Sequence, residues 1–95
     1  MSKPKSQEVA ALLEIVNPLG LHARAASKLV NLANKFSSEV FLARGDTEIN
    51  AKSMLGVLML ACAQGSKVRL RCVGSDAQAC LDGLSELVRG GFGEI

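Results

Sequence analysis

In the segment Lys67–Val73 charged and apolar residues alternate as far as Cys72, with Val68, Leu70 and Cys72 on one side and Lys67, Arg69 and Arg71 on the other. Such period-two alternation marks a strand with one face buried and one face wet. A chain built around it needs a sheet covered on one side, and its helices must collect on that side.

The remaining segments fit this demand. Ala11 to Val16 reads as a short apolar strand, and Asn17-Pro18-Leu19-Gly20 supplies the turn formers after it. From Ala23 to Phe36 the residues Ala26, Leu29, Val30, Ala33 and Phe36 recur at helical spacing. Val40–Ala43 and Thr47–Ala51 flank Arg44-Gly45-Asp46, which predicts a hairpin, so that tripeptide is turn chemistry and not an adhesion motif. Ser53 is placed to cap a second helix running to Ala63, with Gly65 to end it in a left-handed conformation. Ser75 and Gln78 suggest a capping box for a last helix whose residues Ala77, Cys80, Leu81, Leu84, Leu87 and Val88 share a side, with Gly90-Gly91 as the stop. The expected order is βαββαβα, an α+β open-faced sandwich of two layers. Residues 1–95 read as one domain, with residues 1–10 as a polar N-terminal extension.

Composition narrows the function. Aromatic residues are 3% of the chain, with no Trp or Tyr, so the core is aliphatic and platforms for stacking bases are nearly absent. The formal charge of +2 is dispersed, which gives no footprint for nucleic acid. Cys62, Cys72 and Cys80 match neither a redox pair nor a zinc spacing and read as small buried thiols, which suit a reducing cytoplasm. No segment has the length or apolarity of a membrane span or an export signal, so a soluble cytoplasmic monomer is expected, with no metal and no cofactor.

The chemistry centres on the single histidine. Gly20-Leu21-His22-Ala23-Arg24 sets it after a flexible loop and at the start of a helix, where backbone N–H groups and the helix dipole favour an anion. Ala23 and Arg24 belong to that helix start. The Arg24 guanidinium opposes the dipole there, a cost that a bound anion would remove. Imidazole can accept a phosphoryl group near neutral pH without a separate base and release it once the ring is protonated.

Gly20-Leu21-His22-Ala23-Arg24-Ala25-Ala26 closely resembles the active-site motif of the HPr family of phosphotransferase-system carriers. Lys52-Ser53-Met54-Leu55-Gly56-Val57 resembles that family's second motif, and the element order agrees from Ala11 to Phe92. The resemblance implies a four-stranded antiparallel sheet of order 1-4-2-3 with three helices on one face. It also implies a phosphoryl carrier without independent turnover, with His22 as acceptor at Nδ1, Arg24 as its electrostatic partner and Ser53 as a regulatory serine. The partners implied are enzyme I as donor, EIIA-type proteins as acceptors and an HPr kinase/phosphorylase acting at Ser53. Docking would use Leu21, Lys28, Lys52, Met54 and Leu55, an apolar centre with a basic rim. Ala25 stands where many members have Pro, though Ala also favours a helix. Ala25 and Asn17-Pro18-Leu19-Gly20-Leu21 look proteobacterial, which leaves the sugar-transport HPr and the nitrogen-related NPr branch both open.

Two rivals fare worse on the sequence. An RNA- or ligand-binding module would be expected to show more aromatics than Phe41 on its strands. A histidine-dependent phosphohydrolase would usually need a second acid or base, and no other histidine exists.

Overall fold

The computed structural model describes residues 7–95. Its elements are β1 (Gln7–Glu14), α1 (Ala23–Ala33), β2 (Glu39–Arg44), β3 (Thr47–Asn50), α2 (Met54–Leu60), β4 (Lys67–Gly74) and α3 (Ala77–Arg89), followed by a 3-10 turn at Gly91–Gly93. The sheet order is β1-β4-β2-β3 with every pairing antiparallel, so the expected α+β architecture is the one observed.

The alternation in β4 decides which side is covered. Val68, Leu70 and Cys72 are buried beneath the helices together with Leu13, Val40 and Leu42, whereas Lys67 and Arg69 face outward. On the open face Arg71 lies over the Phe41 ring, 4.3 Å from its centre, and reaches Glu48 at 2.8 Å and Glu8 at 3.6 Å. The predicted hairpin forms, with Gly45 at φ +58° where the turn needs a positive value. No helix among the described residues is long and apolar enough to cross a membrane.

Several boundaries differ from the sequence expectation, each for a reason outside the local pattern. The polar extension is shorter than residues 1–10, because Gln7–Ala10 pair with Arg71–Gly74 as the start of β1; residues 1–6 lie outside the described part. Helix α1 stops at Ala33, and Phe36 follows in a turn whose carbonyl accepts from the Lys52 amine at 2.7 Å. Helix α2 ends at Leu60, with the C-cap Ala61 left-handed at φ 55°, short of the expected Ala63 and Gly65. It must stop there because the Cys62 carbonyl turns away to accept from the Leu21 N–H at 2.8 Å. The capping box at Ser75 is not formed. Asp76 is the N-cap of α3, and its carboxylate is taken by the loop before β2, accepting from the Ser37 and Ser38 N–H groups at 2.9 Å each and from both hydroxyls. Those bonds, led by the Ser38 hydroxyl, lower the Asp76 carboxyl to about 2.

All three cysteines are buried free thiols. Burial pushes the Cys62 and Cys72 thiols up, and Cys80, with Cys72 beside it, reaches about 12, so these groups pack as small apolar side chains and not as nucleophiles.

Candidate functional site

The loop that delivers the histidine is pinned, not flexible. Asn17 is fully buried, its side-chain amide donates to the Gly20 carbonyl at 2.8 Å, and the Gly20 N–H donates back to the Asn17 carbonyl at 3.0 Å. Gly20 has φ +66°, and a Cβ there would lie 2.5 Å from the Cys62 carbonyl oxygen and 2.9 Å from the Ala63 Cα. Only glycine allows the loop to lie this close to the segment leaving α2. Leu21, expected at the docking surface, instead fills the core at 5% exposure and anchors the loop.

His22 follows as the N-cap of α1, with extended backbone at φ −70° and ψ 176°. Its Nδ1 accepts from the Arg24 backbone N–H at 3.3 Å, and its Nε2 lies 2.5 Å from Oε2 of Glu94. The two contacts sort the ring atoms. A nitrogen facing an N–H keeps its lone pair, and a nitrogen facing a carboxylate carries the proton. Nδ1 is thereby the nitrogen that keeps its lone pair, and it looks toward the first turn of α1, where backbone N–H groups lack partners one turn back.

Around this point Arg24, Lys28 and Glu94 line an open depression with Pro18, Leu19 and Gly93. The Arg24 side chain is exposed and makes no hydrogen bond to the described residues, so its guanidinium is available to an anion. Lys28 is exposed but tethered, donating to the Phe92 carbonyl at 2.6 Å. Lys52 is tethered to Phe36 as noted, which leaves it less free to meet a partner than its sequence position suggests.

Ser53 caps α2, its hydroxyl accepting from the Gly56 N–H at 3.1 Å. The apolar surplus of this helix divides. Val57 and Leu60 are buried and Met54 packs partly against the core, but Leu55 is 69% and Met59 74% exposed. Leu58 adds to that outer patch, which is the kind of surface another protein covers.

Two residues at this site were absent from the sequence reading. Asn17 looked like turn chemistry only, and Glu94 followed a glycine-rich stop without visible purpose. The signal was Phe92, a lone aromatic between glycines, which is 1% exposed and carries the tail back to α1. Asn17 donates to the other Glu94 oxygen at 2.9 Å. Held first by Asn17 and then by the His22 ring, the Glu94 carboxyl lies below the usual carboxylate range.

Comparison with known proteins shows the family. The family described as the PTS HPr component phosphorylation site matches residues 9–90. The chain is 43% identical over 82 residues to the phosphocarrier protein HPr of Neisseria meningitidis, covering 86% of this chain and 92% of that one. It is 45% identical over 80 residues to the phosphocarrier protein NPr of Shewanella violacea, covering 84% and 88%. Among solved structures, HPr from Thermoanaerobacter tengcongensis superposes with a TM-score of 0.85 at 38% identity, covering 94% of this chain and 98% of that one.

Proposed function

This chain belongs to the HPr family of phosphotransferase-system phosphocarriers, and we propose that it takes a phosphoryl group from charged enzyme I onto Nδ1 of His22 and hands it to an EIIA-type protein. The observation that carries this reading is the direction of Nδ1, an unprotonated nitrogen turned into the start of α1. Attack by its lone pair makes the N–P bond as the donor's bond to phosphorus breaks. The Arg24 N–H, released from the ring, can then serve a phosphoryl oxygen beside the Ala23 N–H. In the return step the acceptor attacks phosphorus and the electron pair of the N–P bond returns to Nδ1.

Arg24 would neutralise charge on the transferring group. Its exposed side chain has little packing to lose, so Arg24→Ala should leave the melting temperature nearly unchanged. A charge-assisted contact is worth ~1.5–3 kcal/mol, which predicts transfer slower by roughly tenfold to a hundredfold in stopped-flow assays. Transfer at the wild-type rate would remove Arg24 from the mechanism.

Leu55, Leu58 and Met59, with Met54 partly beneath them, supply the apolar centre of the docking face, and Arg24, Lys28 and Lys52 its basic edge. A phosphate on Ser53, added by an HPr kinase/phosphorylase, would place about −1.5 to −2 charges beside that centre. Ser53→Asp separates this regulatory role from capping, since Asp caps a helix about as well as Ser. The expected result is a raised apparent Michaelis constant in transfer from enzyme I, larger at low salt than at high, with unchanged stability. Equal kinetics at low salt would leave Ser53 as a cap alone.

The proposed setting is the cytoplasm, with the chain acting as a monomer. HPr and NPr relatives match at similar identity, so the branch is read from donors: the enzyme I that charges this protein faster, sugar-transport or nitrogen-related, names it.

A further inference from the structure

The ring of His22 is held from behind by a carboxylate that comes from the far end of the chain. Glu94 lies 72 positions from His22, and its placement is built: Phe92 is buried as an anchor, Lys28 holds the Phe92 carbonyl, and Asn17 holds the second carboxylate oxygen. The pair is partly shielded, with side-chain exposures of 26% for His22 and 15% for Glu94. Such a contact is screened less than one on the open surface.

We propose that Glu94 is the positioning residue of the phosphoryl-carrier site, fixing the proton on Nε2 so that Nδ1 attacks, and holding that proton on the phosphorylated ring so that the group can leave. The inference rests on His22 as phosphoryl acceptor. When neutral imidazole attacks through Nδ1, the ring becomes cationic with its proton still on Nε2. A carboxylate at 2.5 Å stabilises that cation. In the return step the protonated ring departs as neutral imidazole, whereas loss of the Nε2 proton would force out an imidazolate, a much poorer leaving group. Glu94 neither gives nor takes the phosphoryl group; it keeps one proton in place through both steps.

The charged groups facing the ring favour this reading. Arg24 and Lys28 approach from α1, and both oppose a cationic ring; the loop contributes neutral Asn17, Pro18 and Leu19. Glu94 is the anion among them. Its own carboxyl is held below the ordinary range, so it stays ionised across the neutral region where carriage would operate.

Glu94→Gln keeps the volume and an oxygen for the Asn17 amide while removing the charge. The phosphorylated protein is followed by ³¹P resonance against pH, loaded both by enzyme I with phosphoenolpyruvate and by phosphoramidate, which phosphorylates imidazole without a partner. The expected result is that the titration midpoint of the ³¹P signal falls by about one pH unit in Glu94→Gln, a tenfold change in the protonation equilibrium. Transfer at neutral pH should slow about as much, with the apparent Michaelis constant for docking little changed and the melting temperature close to wild type. Glu94→Asp, which restores the charge on a shorter arm, should lie between the two. A Glu94→Gln midpoint equal to that of wild type would overturn the proposal. If enzyme I fails to load the wild type while phosphoramidate loads it and the midpoint still moves, the carrier reading falls and the role of Glu94 on the ring stands.

Discussion

Gly20→Ala is expected to destabilise the fold by about 2–5 kcal/mol, summing ~1–2 for a side chain at a left-handed position and ~1–3 for forced overlap. The overlap is with main chain: the new Cβ would sit 2.5 Å from the Cys62 carbonyl oxygen and 2.9 Å from the Ala63 Cα. Neither atom can swing aside, because that same carbonyl holds the Leu21 N–H. In a domain of this size each kcal/mol moves the melting temperature by roughly 4–8 °C, so a drop of about 8–40 °C should appear in a thermal melt. Gly45→Ala is the internal control. Gly45 also has positive φ, +58°, but nothing lies within 4 Å of its Cβ position, so only the conformational cost applies there. Equal melting temperatures for the two variants would show that the close approach at Gly20 carries no energy. Because Leu21 and His22 hang from this contact, Gly20→Ala should also lose phosphoryl transfer at temperatures where it is still folded.

The second large effect is chemical. His22→Ala should lose phosphorylation by enzyme I altogether, with the loss read as absence of the phosphoprotein by mass and not as a slower rate. No second histidine exists to take over, and the three cysteine thiols are buried with raised values. Stability should fall by about 0.5–2 kcal/mol for the lost N-cap, together with the loss of the Glu94 contact, and the variant should remain folded. Residual labelling of this variant at a stoichiometric level would place the acceptor elsewhere.

What the sequence made legible was whatever repeats locally. The alternation of β4 and the helical spacing of α1 and α3 each depend on neighbours in the chain, and those elements stand where the pattern put them, within a few residues. His22 and Arg24 were legible for the same reason, as a histidine and a guanidinium at a helix start. What failed depended on contacts across the chain. Nothing in Ala61 announces a left-handed residue, and its position follows from the bond between Cys62 and Leu21. Nothing in Ser75 and Asp76 says which would serve the serines before β2. Leu21 adjoins the histidine in sequence yet is buried, because neighbours at a loop-to-helix junction point in different directions. Glu94 lay beyond any local window, since only the burial of Phe92 returns the tail to the ring.

The central claim is tested most directly by incubating the protein with phosphoenolpyruvate and enzyme I and recording the adduct by mass and ³¹P resonance. The account predicts one phosphoryl group per chain, bound through Nδ1 of His22, stable in base and lost in acid, because the phosphoramidate hydrolyses when its ring is protonated. An adduct stable in acid, bound through Nε2, or formed equally on the His22→Ala variant would contradict it.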